Sequence, residues 1–331
     1  MSAIDAYPWL AEPWERLRCY IETGRVPQGL LITGTTGVGK ALLAETFARR
    51  LLCREGGESA CGHCQSCVLF EAQTHPDYLR VEPAEPGKAI TVDTVRGLIA
   101  TLSLKPQYSG RRVVILTPAE QMNAAAANSL LKTLEEPDAH TTLLLLSEAP
   151  EQLPATIRSR CQRLEIAIPE RQQALAWLQG NGCGDDASVL LSLARGAPLR
   201  ALSFAASDVI TQRANFFRTW CAVVQRKSDP VTAAEQWQKS SCEQLVGWMG
   251  AWTVDLIRLR AAPGCGRIDN PDLRDGLQAT AAGLNLAALF RYLDLLNATR
   301  RQLGGQVNRQ MVLEELLIRW SDAASTRNEH T

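Results

Sequence analysis

The string Gly34-Thr35-Thr36-Gly37-Val38-Gly39-Lys40 constrains the fold of this chain more than any other feature. It follows the apolar run Leu30-Leu31-Ile32-Thr33 and precedes a segment in which Leu43, Phe47 and Leu51 recur every four residues. A strand that turns through glycines into a helix is the phosphate-loop arrangement. The glycines let backbone N–H groups wrap a phosphate, the helix N-terminus adds positive potential, and the lysine reaches the outer phosphates. Short apolar runs at Val113–Leu116 and Leu143–Leu146, and a further strand at Arg163–Ile166, are separated by segments with helical spacing. Buried parallel strands have this pattern, so the first half reads as an α/β, doubly wound parallel sheet of the P-loop type.

The loop lacks parts that hydrolysis needs. The residue after the lysine normally offers a hydroxyl to Mg²⁺, and here it is Ala41. A second strand should end in a carboxylate pair, one for Mg²⁺ and one to polarise water. The strand Val113–Leu116 is instead followed by Thr117-Pro118-Ala119-Glu120. Glu120 stands two positions beyond the expected base and is not assigned that role. Catalysis in this site is not expected. Nucleotide binding through Gly34, Gly37, Gly39 and Lys40 stays open, as does a loop kept only as a strand-to-helix turn.

Four of the ten cysteines fall between Cys53 and Cys67; Cys19, Cys161, Cys183, Cys221, Cys242 and Cys265 are scattered singly. In Cys61-Gly62-His63-Cys64-Gln65-Ser66-Cys67, two overlapping C-x-x-C turns share Cys64, and Cys53 comes from the preceding helix end. Cys53, Cys61, Cys64 and Cys67 together suit one tetrahedral, structural zinc ion, with His63 a bystander. The competing readings are a redox dithiol, which needs a single C-x-x-C, and four unrelated buried thiols.

Beyond the sheet, Pro169 to about Ala206 reads as short helices broken by Gly182, Gly184, Gly196 and Pro198. From Asp208 onward the pattern is helical throughout. Phe216, Phe217, Trp220 and Val224 share one face; Leu245, Trp248, Met249, Trp252, Leu256 and Leu259 share another. Aromatic stripes at helical spacing read first as core, with Ala261 to Pro271 a loop. The expected division is 1–167 for the sheet domain with its zinc module at about 53–67, 168–207 for a small helical lid, and 208–331 for an all-α domain. Arg158 and Arg160, in Leu153-Pro154-Ala155-Thr156-Ile157-Arg158-Ser159-Arg160-Cys161, are either solvated charges or guanidinium groups presented to a neighbouring subunit's phosphates.

Lys plus Arg and Asp plus Glu both total 35, a formal net charge of +0. That balance argues against a protein whose main work is coating DNA through a basic face. No apolar run approaches the ~20 residues of a membrane span, and the first residues show no signal-peptide pattern. A cytoplasmic protein without a membrane partner is expected.

Taken together, these residues resemble the bacterial DNA polymerase III clamp-loader family of AAA+ proteins, over essentially the whole chain. The resemblance rests on the phosphate loop and on the cysteine cluster followed by Thr74-His75-Pro76-Asp77. It extends through Ile90-Thr91-Val92-Asp93-Thr94-Val95-Arg96, Ala126-Ala127-Asn128-Ser129-Leu130-Leu131-Lys132-Thr133-Leu134-Glu135-Glu136-Pro137, and Ser159-Arg160-Cys161. The closing Val307-Asn308-Arg309 into Leu313–Leu317 fits the family's final helix. Within the family, Ala41, Thr117 and Pro118 resemble the non-hydrolysing branch rather than the gamma/tau motor.

The resemblance implies a rigid stator in a complex that opens the ring-shaped sliding clamp and places it on primed DNA, with gamma/tau and delta subunits as partners. It implies that Arg160, with Ser159 and Cys161 in the motif, is a trans-acting arginine finger for the neighbouring gamma/tau ATP site. It further implies that the helical section is an oligomerising collar. The family's sensor-2 arginine would fall within Gly196-Ala197-Pro198-Leu199-Arg200, where Leu199 holds the aligned position. Two other functions compete: a gamma-like ATPase motor, and a subunit that binds ATP without cleaving it. No clustered carboxylates support polymerase or exonuclease chemistry, so such activity would belong to the holoenzyme.

Overall fold

The computed structural model describes residues 3–85, 87–108, 110–136, 138, 140–262, 268–303 and 308–323. Pro137, Cys265 and Val307, and much of the expected loop between Ala261 and Pro271, lie outside the described residues. The chain forms two compact units: Met1–Gly184 with Ala194–Leu202, and Asp185–Leu193 with Ser203–Thr331. Residues of the segment 168–207 fall in both.

In the first unit, five parallel strands are β1 (Gly29–Thr33), β2 (Tyr78–Val81), β3 (Arg112–Leu116), β4 (Thr141–Ser147) and β5 (Gln162–Glu165), in the order β2-β3-β4-β1-β5. Every residue of β1, β3 and β4 is buried, which is why these strands are near-continuous apolar runs. Successive side chains leave the sheet on opposite faces. Leu30, Ile32, Val113, Ile115, Leu144 and Leu146 therefore join one core, while Leu31, Val114, Leu116, Leu143 and Leu145 join a second.

The unit's helices are α1 (Ala11–Glu22), α2 (Lys40–Leu52), α3 (Gln65–Glu71), α4 (Val92–Leu102), α5 (Ala124–Glu135), α6 (Ala155–Arg158) and α7 (Arg171–Gly180). Leu43, Phe47 and Leu51 of α2 enter the first core; Val95, Leu98, Leu130 and Leu134 of α4 and α5 enter the second. Two starts are set by side-chain caps. Thr91 accepts from the Thr94 N–H, and Asn123 accepts from the Ala126 N–H at 2.8 Å.

The second unit is helical among its described residues. It contains α8 (Ala187–Leu193), then, after α9 (Pro198–Ala205), α10 (Val209–Val224), α11 (Pro230–Trp237), α12 (Cys242–Ala261), α13 (Arg274–Ala281), α14 (Leu286–Gln302) and α15 (Arg309–Asp322). Trp220, Trp252 and Trp320 are fully buried. Trp220 and Trp320 stack at 3.9 Å, and the Trp320 indole N–H donates to the Trp220 carbonyl at 2.9 Å. The two stripes are core at Phe217, Trp220, Leu245, Trp248, Met249 and Trp252, while Phe216 is half-buried. Arg213, on the same helix as Trp220, is 1% exposed and donates to Asp272 at 2.7 Å and to Asn270 at 2.5 Å. No helix of the described residues is long and apolar enough to cross a membrane.

Candidate functional site

Leaving β1, the chain takes backbone angles that favour glycine at Gly34 (φ 152°), Gly37 (φ 83°) and Gly39 (φ 101°). The resulting turn delivers Lys40 to the first position of α2. Its ammonium donates to the Gly34 carbonyl at 2.8 Å and the Thr35 carbonyl at 3.0 Å, and pairs with Glu148 at 3.5 Å. Burial pulls the Lys40 pKa down; the neighbouring Glu148 and Glu120 carboxylates oppose that shift. Glu148 also accepts from the Thr36 hydroxyl at 2.5 Å, and its own N–H donates to Glu120 at 3.0 Å. The loop's polar groups are thus bonded among themselves, with the Glu148 carboxylate beside the lysine.

Two further contacts hold the loop. The Trp9 indole N–H donates to the Val38 carbonyl at 2.8 Å, and the Leu199 N–H donates to the Gly37 carbonyl at 3.0 Å. A Cβ at Gly37 would meet the Arg200 backbone nitrogen at 2.7 Å, so α9 begins directly against the loop. Leu199, at the sensor-2 position, lies over Gly39: its Cδ1 would stand 3.5 Å from a Cβ there. Ala41 offers no hydroxyl, and Thr117-Pro118 follows β3 where a hydrolysing site would carry carboxylates.

The four clustered cysteines come together from the end of α2, the Gly-rich turn and the start of α3. Cys53 and Cys64 Sγ atoms are 4.0 Å apart, those of Cys61 and Cys67 are 3.9 Å apart, and all four lie within 4.8 Å of one another. Ligands at a Zn–S distance of ~2.3 Å in a tetrahedron stand ~3.8 Å apart, so the set fits one zinc-sized ion. Backbone N–H groups support thiolate charge: Cys61 donates to Cys53 Sγ at 3.4 Å and Cys64 to Cys61 Sγ at 3.3 Å. Burial pushes the Cys67 thiol up to about 12. At Cys64 burial acts the same way but is outweighed by the Arg54 and Cys67 backbone N–H groups, bringing that thiol down to about 6. The cluster could bind a metal such as zinc. His63 is exposed and pairs with Glu55 at 3.3 Å.

Behind the cluster, residues not singled out by their chemistry form a buried polar joint. His75 accepts from the Asp77 N–H at Nδ1 (3.1 Å), which leaves its Nε2 proton for the Ser66 hydroxyl at 2.8 Å; Ser66 donates onward to the Leu52 carbonyl at 2.6 Å. Asp77 accepts from the Gln107 and Tyr108 N–H groups at 2.8 and 2.7 Å, and Arg112 reaches the Thr101, Leu104 and Lys105 carbonyls. This joint ties the cysteine module to the sheet edge. A charged residue opening an otherwise apolar strand, as Arg112 does in β3, was the available signal.

Arg160 lies elsewhere. Its carbonyl would stand 3.3 Å from a Cβ on Gly29, the first residue of β1, whereas the phosphate loop leaves the other end of that strand. At ~3.3 Å per residue, β1 separates the two by its whole length. The guanidinium, 34% exposed, donates to the Thr156 carbonyl at 3.0 Å and pairs with Glu135 at 2.5 Å. Cys161 packs inward, and burial raises its thiol to about 11. The structure therefore does not gather the predicted residues into one centre. It forms a closed loop, a cysteine cluster, and an arginine at the far end of β1.

Family comparisons agree along the chain. A profile described as DNA polymerase III, delta subunit matches residues 9–170, and one described as DNA polymerase III, delta subunit, C terminal matches residues 207–322. The DNA polymerase III subunit delta' of Pseudomonas aeruginosa is 35% identical over 96% of this chain and 98% of its own. The chain belongs to the DNA polymerase III delta-prime family. The delta-prime subunit of Escherichia coli is 32% identical over 95% of this chain and 94% of its own. Among solved structures, a DNA polymerase III gamma subunit-related protein of Thermotoga maritima covers 94% of the chain and is itself covered over 99%, at 15% identity and a TM-score of 0.47. In this delta-prime chain the loop, the cysteines and Arg160 all fall within the first profile match.

Proposed function

We propose that this delta-prime chain is a non-hydrolysing stator of the DNA polymerase III clamp loader, and that Arg160 completes the ATP site of a neighbouring gamma/tau subunit. The observation that carries the proposal is the separation of Arg160 from the chain's own phosphate loop. A partly exposed guanidinium at the far end of β1, away from the chain's own loop, supports a role toward a phosphate on another subunit. Its planar fork can donate paired hydrogen bonds to a phosphoryl group and stays charged at physiological pH. Such a group stabilises charge on the transferring phosphoryl.

In this reading the chain's own site does no chemistry. Mg²⁺ would find no hydroxyl at Ala41 and no carboxylate at Thr117, and Lys40 is already engaged by Glu148. The missing Mg²⁺ ligands speak against the motor, while binding of ATP without cleavage through Gly34, Gly37, Gly39 and Lys40 stays open. Cys53, Cys61, Cys64 and Cys67 hold a structural zinc ion with no position left for water. Residues 208–331 serve as the collar that joins the other clamp-loader subunits, 1–167 as the nucleotide-site-like domain and 168–207 as the lid. Delta is the second partner; the sliding clamp and primed DNA are met through the complex.

The test is a complex reconstituted with gamma/tau and delta. Arg160→Ala should leave assembly by size exclusion unchanged while lowering clamp- and DNA-stimulated ATPase. Normal ATPase and clamp loading with that variant would refute the trans-acting role.

A further inference from the structure

Glu135 is the last residue of α5, and its carboxylate stands at the helix's negative end, where the macrodipole disfavours it. Lys132 in the same turn is the kind of residue that end prefers. The structure gives this carboxylate a tertiary partner: its Oε1 lies 2.5 Å from Arg160 Nη2. The opposite side of the same guanidinium is held by Nη1 donating to the Thr156 carbonyl at 3.0 Å. Arg158, two residues earlier and equally basic, is exposed and has no ion pair among the described residues. The chain therefore fixes one of its two neighbouring arginines and leaves the other loose.

We propose that Glu135 is a positioning residue for Arg160. This inference rests on the trans-acting role given to Arg160 above. An arginine side chain loses substantial rotamer freedom when it docks on a phosphate. Held by a carboxylate on one side and a carbonyl on the other, the guanidinium has already lost that freedom before the neighbour arrives. Its Nε–H and the second N–H of each terminal nitrogen stay available for phosphoryl oxygens. Because Glu135 and Arg160 are both partly exposed, the pair is screened by salt and its contribution is modest.

The experiment is a double-mutant cycle in the complex reconstituted with gamma/tau and delta, reading clamp- and DNA-stimulated ATPase and assembly. Glu135→Gln keeps the side-chain size and removes the charge. It should lower kcat by about two- to fivefold, the range of an exposed ion pair, without changing assembly. The loss should shrink as ionic strength rises. In an Arg160→Ala background the same substitution should have no further effect, whereas a merely structural role would make the two losses multiply. Full activity of Glu135→Gln beside an impaired Arg160→Ala overturns the positioning role and leaves the finger intact. Higher activity of Glu135→Gln also overturns it, since the carboxylate would then be a competitor of the phosphate. Full activity of Arg160→Ala overturns the finger reading itself, and this inference with it.

Discussion

Gly37→Ala tests how much stability the packing of α9 on the phosphate loop carries. The residue has φ 83°, a conformation that costs an L-residue roughly 1–2 kcal/mol. An added methyl would also collide with the Cβ of Arg200 and lie 2.7 Å from its backbone nitrogen and 3.0 Å from its Cα. Backbone cannot move aside as a flexible side chain does, so overpacking adds about 1–3 kcal/mol. Relief by displacement would break the Leu199 N–H bond to the Gly37 carbonyl, worth about 1 kcal/mol. The expected loss is thus ~2–5 kcal/mol with no nucleotide present, and for a unit of this size it lowers Tm by on the order of 10 °C. Gly24→Ala is the control: φ is 67°, nothing lies within 4 Å of its Cβ, and only the backbone cost of ~1–2 kcal/mol applies. Calorimetry of the two variants without nucleotide checks the reasoning. Equal shifts for both would refute it, because the packing of α9 on the loop would then carry no energy.

Cys64→Ser should lower the metal content of the purified protein well below one zinc per chain and cost the cysteine module its stability, read by elemental analysis and proteolysis of the 53–75 region. The isolated chain should release no phosphate from ATP above background; turnover that disappears in Lys40→Ala would overturn the assignment of a silent site. Cys161, raised to about 11 by burial, holds about 0.1% thiolate at pH 8. It should resist alkylation there, gaining reactivity only as pH climbs toward 11, while the exposed Cys19 reacts first, as mass spectrometry of labelled peptides would show. Trp320→Ala should destabilise the helical unit by roughly 3–5 kcal/mol, since it removes a fully buried ring stacked on Trp220 and the indole bond to its carbonyl. Chemical denaturation followed by the remaining tryptophans measures it.

What could be read in the sequence was whatever local pattern alone determines. β1, β3 and β4 are buried on both faces, so their apolar runs announce them; β2 has only Val81 buried, and an edge strand with Arg80 outward has no such run to announce it. The phosphate loop, the cysteine spacing and the gaps at Ala41 and Thr117 needed no tertiary information. Glu148 did. It lies 112 residues from Thr36, and only the pairing of β4 with β1 brings the end of one beside the loop of the other. Glu120, set aside for lying two positions late, reaches the same place through its bond to the Glu148 N–H. Arg112, Arg213 and Glu135 share a different trait: each contradicts its surroundings, as a charge opening a buried strand, a charge within an aromatic helix, and a carboxylate at a helix C-terminus. Local physics disfavours all three, so each marks a tertiary partner that the sequence does not name. The Thr101, Leu104 and Lys105 carbonyls, in and just beyond the last turn of α4, answer for Arg112, Asp272 and Asn270 answer for Arg213, and Arg160 answers for Glu135. In the first two the arginine itself is buried, and the partnership serves folding. The third stays partly open to solvent, and that exposure is what makes it a candidate for function.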